Sequence, residues 1–246
     1  MFTVKLISHT PYPEMLVASA AKLCYSPSSI EETRQKCDAE SSAKFVKMLA
    51  EMGHQSPLEH INFTFAIEGV SRIFLAQFTR HRIASYSVQS QRYVKETGFN
   101  FVMPPQIEKN PEAKREFENL MNMAKVSYEK IEKFLYNSGE NYLNISKEKK
   151  SIEDARYVLP GAIETKIICS FNARSLLNFF KVRCCERAQW EIKEVALEML
   201  RLVLKISPNI FASAGPPCFN TNVCHEGKLS CGKREEVIKK FKNLSV

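Results

Sequence analysis

The stretch Arg80-His81-Arg82-Ile83-Ala84-Ser85-Tyr86-Ser87-Val88-Gln89-Ser90-Gln91-Arg92-Tyr93 holds three arginines, a histidine and three serines, and no acidic residue occurs between Gly69 and Lys95. Arginine presents a planar fork of donors that matches phosphate, and serine hydroxyls add short-range donors to the same oxygens. The apolar residues Ile73, Phe74, Leu75 and Phe78 lead directly into the run. Cations that continue from a buried element must face an anion or bear a desolvation cost. The residue types therefore point to a site for a phosphorylated ligand, with a solvated basic face as the plain alternative.

Four further clusters carry groups capable of chemistry. His54-Gln55-Ser56-Pro57-Leu58-Glu59-His60 follows Gly53. Ser56, Pro57 and Glu59 have the spacing of a capping box with proline at the first helical position, which leaves His54 and His60 unexplained. In Ala155-Arg156-Tyr157-Val158-Leu159-Pro160, Arg156 falls at an expected helix end, where its charge suits the negative end of the dipole as well as a ligand. In the segment from Asn172 to Arg183, Arg174 and Asn178 lie four apart and share one helix edge with position 182, while Leu176, Leu177, Phe179 and Phe180 supply the core side. Asn172 also suits the cap of that helix. The fourth cluster is Cys218, Cys224, His225 and Cys231, which fits either a zinc site or reduced thiols; its spacing is loose, with no CxxC pair.

Absent motifs narrow the chemistry. The chain has no glycine-rich dinucleotide fingerprint, no phosphate loop, no GxSxG elbow and no metalloprotease helix. A nucleotide or cofactor must then be held by side chains, arginines above all. Ser90 has no acid or histidine in its local sequence to serve as a base, so binding phosphate suits it better than acting as a nucleophile.

These groups need elements to position them. Alternation predicts a strand over residues 1–7 and another carrying Ile61, Phe63, Phe65 and Ile67. Helical periodicity predicts a helix over 13–24 with Leu16, Ala20 and Leu23 on one face. It predicts a second over 42–52 with Phe45, Met48, Leu49 and Met52 as its stripe, ended by Gly53. Residues 71–80 read as a helix entering the Arg/Ser run. The segment 112–137 reads as a long amphipathic helix with Phe117, Leu120, Met121, Ala124, Tyr128, Ile131 and Leu135 inward, closed by Gly139. A helix capped by Ser146 must end before Pro160. A β-rich segment at 165–170 precedes helices over 173–183 and 188–206, and a short basic helix ends the chain. The pattern is α+β: one body over residues 1–210, then a cysteine-bearing tail over 211–246. Apolar runs are too short to span a bilayer, and the N-terminus has no signal-peptide layout. A cytoplasmic protein with eight reduced cysteines is expected. The net charge of +8 favours anionic partners without choosing between small ligands and nucleic acid.

Arg80-His81-Arg82, seven residues and then Ser90 resembles the signature of the flavin-dependent thymidylate synthases. The resemblance extends in order through His54–His60, Ala155-Arg156 to Pro160, Asn172-Ala173-Arg174-Ser175-Leu176-Leu177-Asn178, and Arg183 with Ala188-Gln189-Trp190-Glu191, covering about residues 40 to 205. It implies the thymidylate synthase-complementing fold, a mostly antiparallel sheet packed against long helices with a helical subdomain. The implied reaction is methylation of dUMP to dTMP, with methylenetetrahydrofolate giving the carbon, NADPH the electrons and FAD carrying the hydride. The implied assembly is a homotetramer with active sites between subunits.

By position, the resemblance assigns Ser56, Arg80, His81, Arg82, Ile83, Asn172, Arg174 and Asn178 to FAD. It assigns Gln77, Arg80, Gln89, Ser90, Gln91, Arg92, Arg156 and Arg183 to dUMP, with Arg183 as the catalytic residue, and no residue to a metal. Three positions depart from the family pattern. Val88 stands where many members have an acid, Gln91 replaces a small residue, and Arg187 stands where some relatives carry histidine. The competing reading is a nucleic-acid-binding protein, given the charge of +8 and arginines interleaved with Phe78, Tyr86 and Tyr93; no RRM, KH or helix-turn-helix pattern accompanies them. Binding of nucleic acid or membrane is not expected.

Overall fold

The computed structural model of the chain describes residues 2–138 and 146–244. Four strands, β1 (Thr3–His9), β2 (Asn62–Ser71), β3 (Ser85–Val88) and β4 (Glu164–Asn172), form one antiparallel sheet in the order β1-β2-β4-β3. Before β2 come the helices α1 (Pro13–Leu23), α2 (Ile30–Gln35) and α3 (Ala39–Met52), then a 3-10 turn at Ser56–His60. α4 (Arg72–Phe78) joins β2 to the Arg/Ser run. The short α5 (Pro105–Glu108), the long α6 (Pro111–Ser138) and α7 (Lys147–Ala155) lie between β3 and β4. After β4 come α8 (Ala173–Arg183), α9 (Trp190–Leu204), α10 (Pro208–Phe211), α11 (Pro217–Asn220) and α12 (Arg234–Leu244). The expected α+β class, antiparallel sheet and long helices are all present.

The chain divides into two compact units: Met1–Thr3, Ile67–Ala76 and Ser87–Ile167 form the first, and Val4–Ala66, Gln77–Tyr86 and Ile168–Val246 the second. In the first unit, Phe99, Met121, Ala162 and Ile163 are buried together, and Phe101, Phe117, Ala124 and Leu159 pack against them. α6 departs from its predicted stripe: Leu120 is exposed, and Glu132 is buried between its apolar neighbours. Glu132 is tolerated because Lys95 pairs with it at 2.7 Å and the Ser151 hydroxyl donates to it at 3.3 Å, which ties α7 to α6. The predicted helix end at Gly139 lies outside the described residues.

The second unit is built on phenylalanine. Phe78 touches Phe171 and Phe179 edge-on or tilted, at centroid distances of 5.7 and 5.4 Å, and Phe180 meets Phe211 at 6.0 Å. Such ring pairs each add about 0.5–1.5 kcal/mol beyond their area burial. The faces of α1 and α3 differ from prediction. Val17, Ala18 and Ala21 are buried on α1 while Leu16 and Leu23 face solvent. On α3 the buried line is Ser42, Val46 and Leu49, and Met48 and Met52 are exposed. On α1 the small alanines and β-branched Val17 permit closer approach than leucine does, so they hold its buried face, while Leu49 keeps its predicted inward place on α3. Asp38 caps α3 by accepting from the Ser41 N–H at 2.8 Å, and Gly53 ends it at φ 75°, a conformation that favours glycine.

Candidate active site

α8 gives the second unit its clearest functional face. Ala173, Leu176, Phe179 and Phe180 are buried, so the helical period turns Arg174 and Asn178 to the opposite side. Asn172 caps the helix, its side-chain oxygen accepting from the Ser175 N–H at 2.8 Å. Its amide NH2 remains a donor, so the capping and ligand roles are compatible.

A cavity of about 700 Å³ opens beside this face, within the usual size range for ligand sites. Arg80, His81, Arg82, Ile83, Asn172, Arg174 and Asn178 all line it. Of the residues expected to hold FAD, only Ser56 is missing from the wall; its neighbours Gln55, Leu58 and Glu59 are there instead. Ser56 is not a helix cap either. It opens a 3-10 turn with Gln55 in the cap position and no side-chain cap bond. Glu59, the other half of the expected capping box, pairs with Arg174. Tertiary pairing with a cation outcompetes the local bond to a backbone N–H. His54 also lines the cavity.

Arg80, Arg82, Arg174 and Lys181 outnumber the single wall carboxylate, Glu59. Arg80 and Arg82 carry no ion pair among the described residues. A dinucleotide with a pyrophosphate and ring carbonyls supplies the acceptors that such a wall needs.

Two contacts hold the Arg80–Arg82 turn in shape. The Tyr86 hydroxyl donates toward the Phe78 and His81 carbonyls at 3.1 and 2.7 Å, and burial pushes its phenol well above its ordinary pKa. Replacing Tyr86 with phenylalanine leaves those carbonyls without that donor. Stability is expected to fall by about 1 kcal/mol, read as a shift in the urea midpoint, with weaker uptake of FAD.

The second contact is between His81 and Arg183. Arg183 Nε donates to His81 Nε2 at 3.0 Å, and the imidazole stands edge-on to Phe179 at 4.9 Å. Burial and then the Arg183 charge lower His81 from 6.5 to about 4, so the ring is neutral and accepts through Nε2. The unfolded chain therefore takes up this proton first as pH falls. The contribution to stability is complete above about pH 6.5 and is lost toward about pH 4, by less than the full shift because the ring is half exposed. Denaturation midpoints measured across this range should fall less steeply for His81→Asn than for the parent.

Arg183 itself is held below the ordinary arginine range by burial and then by the charge of Arg80. Gln77 lies on α4 and accepts the Arg80 N–H through its backbone carbonyl at 3.4 Å. Gln77, Arg80 and Arg183 are thus the dUMP candidates of the second unit.

The other dUMP candidates belong to the first unit. The Gln89 N–H donates to the Lys166 carbonyl at 3.1 Å, which places the residue at the end of β3. Ser90 starts a turn: its hydroxyl accepts from the Arg92 N–H at 3.2 Å and its carbonyl from the Val94 N–H at 3.0 Å. The Gln91 side-chain nitrogen is buried and makes no hydrogen bond among the described residues. Arg92 Nε pairs with Glu153 of α7 at 2.9 Å, and that bond, with Lys150 and Arg156 nearby, holds the Glu153 carboxyl below the usual carboxylate range. Arg156 stands at the C-cap of α7, in agreement with its expected helix-end position.

Sequence reasoning missed Tyr86 as a clamp and Glu153 as the partner of Arg92. It also missed the half-buried Arg72, whose Nη2 donates to the Gln89 carbonyl at 2.7 Å. The available signal for Arg72 was an arginine set between apolar residues, a placement that demands a partner. In the tail, Cys218 is buried with Cys185, Cys224 and Cys231 near enough to raise its pKa after burial itself. All eight cysteines are free thiols. Among the described residues no group of three or more His, Cys, Asp or Glu is placed to hold a metal ion.

Residues 5–209 match the sequence profile of the family described as thymidylate synthase complementing protein. The chain is 52% identical over 238 residues to a flavin-dependent thymidylate synthase of Clostridium tetani, covering 96% of this chain and 95% of that protein. It is 46% identical over 245 residues to the Geobacter sulfurreducens protein of the same name, with 99% of each covered. It is 42% identical over 236 residues to that of Nitratidesulfovibrio vulgaris, with 94% of each covered. With its four-stranded antiparallel sheet, its cationic cavity and a match over nearly its whole length, the chain belongs to the thymidylate synthase complementing protein family, that of the flavin-dependent thymidylate synthases.

Proposed function

We propose that this protein is an FAD-dependent thymidylate synthase that methylates dUMP to dTMP, with methylenetetrahydrofolate as carbon donor and NADPH as reductant. The observation that carries the reading is the cavity of the second unit, where Arg80, His81, Arg82, Ile83, Asn172, Arg174 and Asn178 meet. FAD, when bound, supplies the hydride that completes the methyl group. The chain's own residues bind and orient. Arg80, Arg82 and Arg174 offer charge-assisted donors to the flavin's pyrophosphate and carbonyls, and Asn172 and Asn178 offer amides.

For dUMP, Ser90, Arg92 and Arg156 suit the phosphate, and Gln77, Gln89 and Gln91 suit the nucleoside. The Gln91 amide supports this, since a buried donor with no partner among the described residues is available to a ligand acceptor. Arg183 stabilises negative charge on the uracil ring as carbon 5 turns nucleophilic.

A homotetramer with active sites between copies suits the apolar side chains that α6 leaves in solvent, namely Leu120, Met123, Val126, Phe134 and Tyr136. The family match ends at Asn209, which supports reading 211–246 as a tail to the synthase body. No helix among the described residues is long and apolar enough to cross a membrane. Eight free thiols suit the reducing cytoplasm.

NADPH oxidation that requires both FAD and dUMP, with dTMP as product, tests the proposal. A colourless protein that takes up no FAD and instead shifts RNA would replace it with the nucleic-acid reading.

A further inference from the structure

Arg72 is not among the motif residues, yet it reaches the centre of one of them. It opens α4, and its own N–H donates to the Ile163 carbonyl at 3.1 Å. Its side chain turns toward the Arg/Ser run, where Nη2 donates to the Gln89 carbonyl at 2.7 Å. The Gln89 N–H is held by the Lys166 carbonyl on β4, so this residue is pinned from both ends. Gln89 directly precedes Ser90, whose hydroxyl and carbonyl organise the turn that carries Arg92.

Peptide geometry gives that single bond its reach. The Gln89 carbonyl and the Ser90 N–H belong to one planar trans peptide and point in opposite directions. A guanidinium that fixes the carbonyl therefore also fixes the aim of the Ser90 N–H and the start of the turn. Electrostatics agree with this placement. The Arg72 guanidinium is half-buried and feels Glu96 as an attractive charge and Arg156 as a repulsive one. Arg72 Nε and Glu96 Oε1 are both buried without a hydrogen bond among the described residues, so Glu96 balances the cation without tying up the fork. With Arg156 close by, the pair of guanidiniums is relieved by a bound anion.

We propose that Arg72 is a positioning residue for the nucleotide phosphate, acting through the Gln89–Ser90 peptide on the turn that carries Ser90 and Arg92. The proposal rests on the assignment of dUMP phosphate to that turn. It is specific to the phosphate, because Arg72 is tied to the turn and to no residue assigned to FAD.

The test uses FAD-loaded enzyme with Arg72→Gln and Arg72→Lys. The measured quantities are KM and kcat for dUMP, the inhibition constant of deoxyuridine (the same nucleoside without phosphate), FAD affinity and the thermal midpoint. Arg72→Gln should raise KM for dUMP about ten- to hundredfold, the range of a hydrogen bond to a charged group, with deoxyuridine inhibition and FAD affinity unchanged. Arg72→Lys keeps the charge but not the planar fork and should fall between parent and glutamine variant. It carries the test alone if the glutamine variant does not fold. Unchanged KM for dUMP, or equal losses for dUMP and deoxyuridine, would overturn the role. If Arg92→Ala leaves dUMP affinity intact, the phosphate assignment fails first, whatever the Arg72 variants do.

Discussion

Arg183→Ala is expected to abolish methyl transfer while the protein still binds its flavin. Uracil carbon 5 is a weak nucleophile, and raising its electron density places negative charge on the ring's imide, which a nearby cation stabilises. Arg183 is suited to that task by its surroundings. Burial and the neighbouring Arg80 leave its charge poorly compensated, and its Nε is already anchored on His81, which leaves the two Nη groups to face a ligand. Donors fixed before the reaction cost no reorganisation when the charge develops, and removing one such donor typically lowers turnover about a hundred- to a thousandfold. The flavin wall keeps Arg80, Arg82 and Arg174, and the Tyr86 clamp still holds the Arg80–Arg82 turn without the Arg183 bond, so the purified variant should still carry flavin. The check is single-turnover dTMP formation beside the visible spectrum. Normal turnover would remove Arg183 from the chemistry. Arg183→Lys should recover only part of the rate, because a point charge on a flexible stem cannot both donate to His81 and present a fork.

The second large effect belongs to Arg92. Arg92→Ala should weaken dUMP binding by about 2 kcal/mol or more, roughly thirtyfold, since a charge-assisted pair with phosphate is lost. The existing Glu153 pair does not consume Arg92. It uses Nε alone, and both partners remain partly exposed, so the pair by itself is worth little to stability. Its value is orientation: Glu153 fixes the plane of the guanidinium and leaves the two Nη groups for a phosphate. Titration of dUMP into FAD-loaded enzyme measures the loss, and an unchanged affinity would place the phosphate elsewhere.

The sequence was most legible where local chemistry and period agree. Asn172 followed by an apolar period capped α8 as read, and that period alone sets Arg174 and Asn178 on the open side. Ser146 and Gly53 marked helix ends for the same local reasons. Legibility failed where a distant partner overrode a local preference. Glu59 left its capping box for Arg174, more than a hundred residues away, and Ser56 was left without a cap to form. Glu132 took an inward position on α6 because Lys95 and Ser151 meet it there. Periodicity on α1 and α3 found the helices and buried Leu49 as read, but Leu16, Leu23, Met48 and Met52 face solvent, since apolar size does not reveal which face a neighbour can approach.

From sequence alone came the family, most of the longer strands and helices, and the seven of the eight residues assigned to FAD that line the cavity, because side-chain type, spacing and local capping are properties of the chain itself. The tertiary structure decided what those residues hold. It tied Arg183 to a neutral His81, Arg92 to Glu153 and Arg72 to the Gln89 carbonyl. Each of these pairs joins residues far apart in the chain, and only folding sets the distance and burial that decide whether a cation is spent on a neighbour or left to meet a ligand.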